Sequence, residues 1–524
     1  MRKLTLIFLV TIGLIVTSCD YNLDINTSPN TPQTASPELR LPSILSYTMD
    51  IYGSHGIRTA MLCQQMGYIY SANQRYYELQ NWHFLNNADT YVWQSWYIYS
   101  WINISKMIAD AEASEAWHYV GVGKIMQAFG CGFVVDAYGI MAYQQGLSDA
   151  TFRPDYDDAE YVYSKILPLC DEAIADLQKT QATTAPLLST GDIIYKGDTQ
   201  KWIKFAYGVK ARLMSHLSKK TKGTDLLQYN PDAILSLLSK SFASNADDAE
   251  LKYLVSTVSN QNAIQYQNTT ASVKPGKLWT QYLLNTLPGT GKSWNSGVED
   301  PRAKKLIPKI TSGANSGKYS YGVDLATTDV DPKSTNANYV GLKSTDSNKL
   351  FYTQQDSPFD YMTYSEAKFI AAEVYFRKGS KTEALAAYKE AIKANIDKLG
   401  CTPAERDAFL SSAAVAQTAD ELTLSHIMIQ KYITLTYSPE VWTDLRRCDY
   451  CTDASGVYNE SAGVYKGFDR PKFAYALNFP TSKDYLRRYQ MAYMERDYNA
   501  EKVRPFGVFD TDYMTRPVWW DIVK

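Results

Sequence analysis

The chain has 524 residues and a formal net charge of −2, so it carries neither the basic surface of a nucleic-acid-binding protein nor a strongly acidic tail. A chain of this length can bury a large core, and length alone suggests about three domains. Its 41 tyrosines and 11 tryptophans favour the binding of flat, polar ligands such as sugar rings, because these side chains join an apolar face to a polar group.

The N-terminus has the layout of a secretory signal. Arg2 and Lys3 precede an apolar run over residues 4–16, and two small residues then lead to Cys19. The run is shorter than the stretch of about 20 residues that crosses a bilayer. Because this arrangement resembles a lipobox, residues 1–18 are predicted to be a signal peptide and Cys19 to be lipidated. The alternative is an ordinary signal peptide followed by an incidental cysteine.

The next segment, residues 19–42, is rich in Asn, Thr, Ser and Pro, which predicts a lipidated tether with little regular structure. From residue 43 onward the apolar spacing is helical, and no second apolar stretch is expected to reach membrane length. Helices are predicted over residues 93–108, 119–138, 157–177, 202–217, 364–377, 381–398 and 419–437. Residues 43–524 are therefore expected to form an all-α domain.

Two neighbouring helices, 364–377 and 381–398, follow the pattern of a tetratricopeptide repeat, in which small residues let two helices approach and aromatic residues fill the gap. The matching residues are Ala372, Tyr375, Ala384, Tyr388 and Ala391, with Gly379 at the turn. Part of the same pattern recurs at Ala159, Tyr163 and Ile166, after a candidate first helix over residues 119–139. Stacked repeats of this kind form a face that binds partners. A generic helical hairpin is the alternative.

Long segments without helical periodicity interrupt this pattern. Residues 278–355 are rich in Gly, Ser, Asn, Thr and Asp, and residues 457–480 and the end from residue 497 are also loop-like. Long irregular segments in compact proteins are usually functional loops. The segments 278–355 and 457–480 are therefore predicted to be loop insertions that carry the binding face.

Catalytic and metal-binding patterns are missing from the sequence. The five histidines show no H-E-x-x-H spacing, and there is no G-x-S-x-G motif. Cys448 and Cys451 have C-x-x-C spacing, which is a weak redox or metal signal without a second pair, and whether they form a disulfide is left open. We predict a binding protein that is not an enzyme and needs no cofactor or metal. An exported α-helical glycan-degrading enzyme is the alternative.

Short motifs follow one another in a recognisable order. They are N-T-S-P-N-T-P at 26–32, D-A-Y-G at 136–139, P-D-Y-D at 154–157, Y-K-G-D at 195–198, K-W-I-K-F-A at 201–206, K-A-R-L at 210–213, D-P-R at 300–302, M-T-Y-S-E at 362–366, Q-K-Y at 430–432 and E-x-W-x-x-x-R-R at 440–447. In this order they resemble the SusD/RagB family, the SusD-like surface glycan-binding lipoproteins of the Bacteroidota. Ile140 and Ala142 depart from the family pattern, which usually has Asp and Pro there.

The resemblance implies an all-α fold of tetratricopeptide-like helix pairs with long irregular loops. It also implies a lipoprotein on the outer-membrane cell surface that captures oligosaccharide and passes it to a SusC-type TonB-dependent transporter. A peptide-binding SusD-like protein and a scaffold without a ligand are alternatives. The charged residues within these motifs are expected to be structural: Asp198, Arg212, Asp300, Arg302, Arg446 and Arg447.

Two loop-like stretches combine aromatic and hydrogen-bonding side chains, as a sugar site requires. The first, over residues 68–83, contributes Tyr68, Tyr70, Asn73, Arg75, Tyr76, Tyr77, Asn81 and Trp82. The second, over residues 294–321, contributes Trp294, Asn315, Tyr319 and Tyr321. Trp82 is the strongest single candidate, because Asn81 and His83 flank it. The alternative is that these aromatics only pack the loops onto the helices.

Overall fold

The computed structural model describes residues 35–68, 74–85, 90–224, 226–253, 269, 272–286, 298–326 and 336–523. The predicted signal peptide and Cys19 lie outside these residues. The predicted C-terminal bound of the tether, residue 42, is wrong, because the first helix begins at Pro37. Proline is favourable there, since its fixed φ suits the first helical turn and its missing N–H would have no partner within the helix.

Helices dominate the described chain, as the sequence predicts. The described α-helices of the first half are α1 (Pro37–Leu62), α2 (Gln74–Gln80), α3 (Thr90–Ser95), α4 (Ile102–Ala113), α5 (Trp117–Tyr138), α6 (Ala159–Leu177), α7 (Leu188–Gly191), α8 (Thr199–His216) and α9 (Pro231–Lys240). The second half contains α10 (Lys277–Leu283), α11 (Ala303–Leu306), α12 (Tyr364–Lys378), α13 (Lys381–Lys398), α14 (Pro403–Leu410), α15 (Leu424–Thr434), α16 (Glu440–Arg447), α17 (Tyr493–Tyr498) and α18 (Ala500–Val503).

Other helical turns and six short strands complete the described architecture. A π-helix spans Trp96–Trp101, between α3 and α4, and single 3₁₀ turns occur at Leu217–Lys219, Asn245–Asp247, Arg504–Phe506, Tyr513–Thr515 and Trp519–Asp521. The strands are β1 (Met66–Tyr68), β2 (Ile140–Met141), β3 (Asp157–Asp158), β4 (Ala249–Leu251), β5 (Val273–Pro275) and β6 (Phe359–Met362). They pair antiparallel as β1 with β5, β2 with β3 and β4 with β6.

Several predicted boundaries were wrong for local reasons. The last predicted helix begins at Leu424 rather than residue 419, because Thr423 and His426 form a reciprocal capping box there. The stretch 68–83, expected to be a loop, contains the end of β1 and the short helix α2. The loop insertion 278–355 begins within α10 and also contains α11. Residues 457–480 contain no helix or strand, as predicted.

Both predicted tetratricopeptide-like pairs form. In the pair α12–α13, Ala372, Ala384, Tyr388 and Ala391 are fully buried, and Gly379 takes the left-handed conformation, with φ of 87°, that ends α12. The Ser365 hydroxyl also donates to the Ala391 carbonyl across the pair at 2.8 Å. The residue types predicted to bring the two helices together therefore do so.

The second pair, α5–α6, needs a small residue where the helices meet, and α5 needs another where it meets the π-helical segment. A Cβ atom at Gly121 would lie 2.6 Å from Cγ of Leu177 on α6, and one at Gly130 would lie 1.8 Å from the ring of Trp96 in the π-helix. Both distances are below van der Waals contact, so only glycine allows these approaches. Tyr163, from the partial repeat pattern, is fully buried on α6.

Helix α5 is long and apolar enough to cross a membrane by length and composition, contrary to the expectation from sequence. Within the fold, 89% of its most apolar window is buried. It packs against α6 and against the π-helical segment, and its residues belong to the main hydrophobic core. Its apolar character is therefore that of a central core helix.

Buried ion pairs hold the helices to one another, as predicted for the charged motif residues. The Arg212 guanidinium donates to both carboxylate oxygens of Glu366, at 2.6 and 2.7 Å. Arg302 pairs with Asp300 at 2.6 Å, and both side chains are fully buried. Asp198 caps α8 through its carboxylate. These paired charges are structural, because each guanidinium is matched by carboxylate or carbonyl acceptors inside the core.

The two motif arginines of α16 have different surroundings. Arg447 binds Glu373 through two nitrogens at 2.7 Å each, and it also binds Asp444 at 2.6 Å. The Arg446 guanidinium lies between two indole rings, 3.8 Å from the centroid of Trp442 and 4.7 Å from that of Trp520. Carboxylates stabilise the first cation, whereas aromatic faces and backbone carbonyls stabilise the second.

Candidate ligand-binding site

An open cleft of about 1000 Å³ lies in the middle third of the chain, within and beside the predicted insertion. Its lining includes three tyrosines and five charged side chains, and we call it the tyrosine cleft: Lys277, Glu299, Lys309, Lys318, Tyr319, Tyr321, Asp324 and Tyr339. A space of this size with a mixed aromatic and polar lining suits a small-molecule or oligosaccharide ligand.

Backbone pairing places the wall of the cleft beside the helical body. Lys277 N–H donates to the Val323 carbonyl at 2.9 Å, and Val323 N–H donates to the Pro275 carbonyl at 2.8 Å. Gly276, at the start of α10, has no space for a side chain, since a Cβ there would lie 1.9 Å from the Gln64 carbonyl oxygen. The loop residues therefore continue the small β1–β5 ladder and are held against it.

A short hairpin presents Tyr319. Lys309 and Tyr319 face each other as an antiparallel bridge, and Ile310 N–H donates to the Lys318 carbonyl at 2.8 Å. Gly313 and Gly317 turn this hairpin with φ values of 81° and 86°, which other residues rarely adopt. The turn fixes the direction of Tyr319, so its position does not depend on a long free loop.

Tyr319 and its neighbours form a polar and aromatic group. Its hydroxyl donates to Glu299 at 2.6 Å, and the Lys309 ammonium lies 5.3 Å from its ring centroid. Burial, followed by the hydrogen bond and the negative charge of Glu299, raises the pKa of the Tyr319 phenol. The phenol is therefore neutral and keeps its proton on the Glu299 side.

The other two tyrosines form the outer edge. The Tyr321 and Tyr339 rings meet edge to face, with centroids 5.9 Å apart, and Tyr321 is 45% exposed. Asn315 donates to the Tyr321 hydroxyl at 3.4 Å and to the Asn338 side chain at 3.0 Å. This arrangement offers ligands an accessible aromatic ring beside amide groups that can donate and accept hydrogen bonds.

Acceptors and cations complete the lining. Lys277 pairs with Asp324 at 2.5 Å, and Lys318 donates to the Asn315 side chain at 3.0 Å. The buried Gln281 Oε1 atom accepts no hydrogen bond from any described residue. The cleft can therefore donate and accept hydrogen bonds around an aromatic face, which is the combination that hydroxylated rings need.

The predicted site residues are distributed unevenly. Tyr319 and Tyr321 line the cleft, whereas Tyr70, Asn73 and Trp294 lie outside the described residues. Described residues of the first stretch do not line the cleft: Arg75 is exposed, Tyr76 and Tyr77 are partly exposed, and Tyr76 packs on Tyr68 with centroids 5.5 Å apart. The chain at residues 472–475 connects the first stretch to the segment just beyond the second, because Tyr475 N–H donates to the Asn81 carbonyl and Lys472 N–H donates to the Leu325 carbonyl.

Trp82 has a different environment from the one expected. Its side chain is 1% exposed, and its ring packs against Phe479 and Tyr485 at centroid distances of 5.3 and 5.9 Å. Asn81, at 3% exposure, donates to the Tyr77 carbonyl at 3.1 Å. Neither side chain presents a surface to a ligand in this conformation. The structure therefore favours the packing alternative for both residues.

The sequence interpretation missed Lys277, Gln281, Glu299, Asp324 and Tyr339 as lining residues. Lys277 and Gln281 lie on α10, a helix within a segment whose composition predicts loop, and Tyr339 lies beyond the predicted aromatic stretch. A search for every tyrosine in residues 278–355, rather than for dense clusters, would have included Tyr339. The positions of Lys277, Glu299 and Asp324 depend on backbone hydrogen bonds between separate chain segments, which composition does not reveal.

Redox and metal chemistry find no support at the cysteines. The six described cysteines, including Cys448 and Cys451, are free thiols. Burial raises the pKa of the Cys448 thiol and the Cys451 thiol to about 11 each, so both are protonated at neutral pH. Among the described residues, no group of three or more His, Cys, Asp or Glu is placed to hold a metal ion.

A family model decides the relationship of the chain to known proteins. The SusD-like model, described as starch-binding and associating with the outer membrane, matches residues 29–464. The chain belongs to this SusD-like family. None of the curated proteins matches it at a significant level.

Solved structures share the SusD-like fold at low sequence identity. A SusD/RagB family protein from Bacteroides thetaiotaomicron is 20% identical, with a TM-score of 0.68 over 94% of this chain and 100% of that one. A SusD homologue from Parabacteroides distasonis is 18% identical, with a TM-score of 0.70 over 94% and 99%. A chitin-binding SusD homologue from Flavobacterium johnsoniae is 18% identical, with a TM-score of 0.64 over 94% and 96%. These likenesses confirm the predicted helical SusD-like fold.

Proposed function

We propose that this SusD-like protein captures oligosaccharide in the tyrosine cleft at the cell surface and passes it to a SusC-type TonB-dependent transporter. The observation that carries the proposal is the group of three tyrosines that line the cleft, the exposed Tyr321 and the half-buried Tyr319 and Tyr339, among hydrogen-bonding side chains. Sugar rings stack their apolar faces on aromatic side chains and use their hydroxyls with such groups.

The family and its relatives support a glycan as the ligand. The family model is described as starch-binding, and one relative of the same fold is described as chitin-binding. The carboxylates that line the cleft favour binding over catalysis. Glu299 holds the Tyr319 hydroxyl and Asp324 pairs with Lys277, so both described carboxylates of the lining already have partners. A glycosidase would need one carboxyl to protonate the leaving group and another to attack or activate water.

The test is a calorimetric titration of the mature protein with maltooligosaccharides, chitooligosaccharides and a peptide library. The Tyr319→Ala variant should bind the selected glycan about ten- to hundredfold more weakly, because a central aromatic contact contributes about 1 to 3 kcal/mol. Tyr319→Phe keeps the ring and loses only the hydroxyl bond to Glu299, so its loss should be much smaller.

Thermal melting serves as the control for both variants and should stay close to the parent value, since Tyr319 lies on a surface hairpin. Binding of peptides without any glycan would favour the peptide-binding alternative. Full glycan affinity in the Tyr319→Ala variant would remove the tyrosine cleft from the function.

Membrane attachment is proposed through Cys19, on the lipobox-like sequence that precedes it. Cys19→Ala should abolish fatty-acid labelling and release the protein from the outer-membrane fraction. Because the substitution lies outside the described fold, the secreted variant should keep its glycan affinity. Unchanged labelling would contradict the proposal.

The transporter partner is proposed from family membership. Mild detergent extracts of the native host should yield this protein together with a TonB-dependent β-barrel. Recovery of the protein alone, under conditions that preserve other outer-membrane complexes, would contradict this part of the proposal and leave glycan binding unaffected.

A further inference from the structure

A second pocket, of about 320 Å³, lies between the π-helical segment, the loop after β2 and helix α17. We call it the aromatic notch, and it shares no lining residue with the tyrosine cleft. Its lining is Trp93, Gln94, Tyr97, Ile98, Ala142, Gly146, Phe152, Pro154, Tyr156, Met494, Glu495, Tyr498 and Asn499.

Five of the thirteen lining residues of the notch are aromatic. Trp93 and Tyr156 are nearly parallel, with an interplanar angle of 21° and centroids 6.1 Å apart, and Tyr97 packs on Trp93 at 5.2 Å. At the rim, Phe152 and Tyr498 are among the most exposed large apolar side chains of the described chain, at 102% and 75%. Exposing two such rings beside one pocket costs solvation free energy that a bound ligand would recover.

One carboxylate lies among these rings. Glu495 accepts a hydrogen bond from the Trp93 indole at 2.9 Å and another from the Tyr156 hydroxyl. Among the described residues that line the notch, Glu495 carries the single charge, and it is negative. Two neutral donors orient this carboxylate without neutralising it, so a cation can still be attracted to it.

A second acceptor lacks a partner. Asn499 is 6% exposed, and its amide nitrogen donates to the Pro154 carbonyl at 3.3 Å and to the Tyr156 hydroxyl at 3.2 Å. Its Oδ1 atom accepts no hydrogen bond from any described residue. Because this oxygen is closed to solvent, it is a cost of the local packing and not a contact that the notch offers to a ligand in this conformation.

The backbone beside the notch is also unusual. Tyr97 and Ile98 belong to the π-helix Trp96–Trp101, and the Tyr97 hydroxyl accepts a hydrogen bond from the Ala142 N–H at 3.0 Å. π-Helical turns are rare and occur frequently at functional sites. Here the wider turn places an aromatic ring and an apolar side chain at the same opening.

We propose that the aromatic notch binds a protonated amine carried on a ring or chain that can lie against aromatic faces. An ammonium group fits this lining, because it is attracted both by the Glu495 carboxylate and by the faces of the surrounding rings. An amino sugar and a lysine side chain offer this same chemistry. The site is independent of the tyrosine cleft.

Two matched pairs of probes test whether the amino group is recognised, and whether the notch prefers it on a sugar ring or on an alkyl chain. Glucosamine is compared with glucose, and Nα-acetyl-lysinamide is compared with Nα-acetyl-norleucinamide, by saturation-transfer NMR and calorimetry on the mature protein. At least one amine should bind about tenfold more tightly than its neutral partner, as expected for a cation held by aromatic faces and a carboxylate. The pair with the larger ratio of amine affinity to neutral-probe affinity shows whether the notch prefers an amino sugar or a lysine side chain.

Glu495→Gln is nearly isosteric, and it can still accept from Trp93 while donating to the Tyr156 oxygen. It should reduce the preference for the amine to about twofold or less. Tyr498→Ala removes an exposed rim ring without loss of core packing, so it should weaken amine binding several-fold at unchanged melting temperature. Tyr319→Ala, in the cleft, should leave amine binding unchanged.

Three results would overturn the proposal: equal affinity for amine and neutral probes, no binding of either amine, or an undiminished amine preference in a folded Glu495→Gln variant. If the Glu495→Gln variant does not fold, the Tyr498→Ala variant decides. Full amine affinity in that variant would overturn the proposal.

Discussion

The helical scaffold and the tyrosine cleft use charged and aromatic residues in opposite ways. In the scaffold, Arg447, Arg302 and Trp442 are almost completely buried, and each guanidinium or ring is enclosed by fixed partners. In the cleft, Lys309 and Tyr319 interact with each other at a partly exposed surface. Burial therefore separates the two roles: the enclosed residues stabilise the scaffold, whereas the partly exposed residues of the cleft remain available to the glycan that we propose as the ligand.

The largest expected effect is in the scaffold. Arg447→Leu should lower the free energy of unfolding by about 3 to 5 kcal/mol, because it removes the cation that two buried carboxylates share and leaves Glu373 with Arg377 alone and Asp444 with Lys431 alone. Chemical denaturation measures the change. The matched control is Arg516→Leu, whose partners Asp510 and Asp512 are exposed and whose loss should cost less than about 1 kcal/mol. Equal costs for the two variants would contradict the comparison.

Trp82 tests whether a buried aromatic residue of a predicted binding stretch contributes to stability or to ligand binding. Trp82→Ala should cost about 3 to 5 kcal/mol of stability, because it leaves a cavity beside Phe479 and Tyr485. Any loss of glycan affinity should disappear at temperatures where the variant is fully folded. A variant with a normal melting temperature and a tenfold loss of affinity would return Trp82 to the ligand site.

The pH dependence of stability gives an intermediate effect. Burial would lower the pKa of His216, but the carboxylates of Glu440 and Asp136 outweigh it and raise that pKa to about 9. The protonated form is therefore stabilised by folding. This contribution is fully present below the unfolded value of about 6.5 and is lost as the pH rises towards 9.

Unfolding measured between pH 6 and 10 should thus show a loss of a few kcal/mol over the upper part of that range. His216→Gln cannot be protonated and should be less stable at pH 6 but should lack the loss near pH 8 to 9. A parent protein whose stability is constant from pH 6.5 to 9 would contradict a charged His216.

The smallest expected effect is at the edge of the cleft. Tyr321→Ala should weaken glycan binding several-fold, corresponding to about 1 kcal/mol, and should leave the melting temperature unchanged because the ring is 45% exposed. Phe473→Ala is the control, since Phe473 is 51% exposed and does not line the cleft. Equal effects of both substitutions on binding would mean that aromatic exposure alone, and not the cleft, governs affinity.

Much of the fold could be predicted from sequence because its determinants are local. Apolar spacing located α5, α6, α8, α12 and α13 within a few residues, and the small and aromatic residues of the α12–α13 pair indicated how its helices pack. The order of motifs indicated the SusD-like family, and the charged motif residues were correctly interpreted as structural. Each of these inferences depends on residues one or a few helical turns apart, or on recurring motifs.

The binding surfaces depended on residues far apart in sequence, and only the tertiary structure decided them. Trp82 is buried because Phe479 and Tyr485 cover it, and nothing near residue 82 encodes that cover. The cleft joins α10 to a hairpin through backbone pairing with Val323, and the aromatic notch joins Trp93 to Glu495 across about four hundred residues of chain. Aromatic composition favours ligand binding in general, but whether a given aromatic ring is accessible to solvent depends on how the chain packs around it. The sequence by itself therefore determined the helices and their family, whereas packing decided which aromatic rings remain available to a ligand.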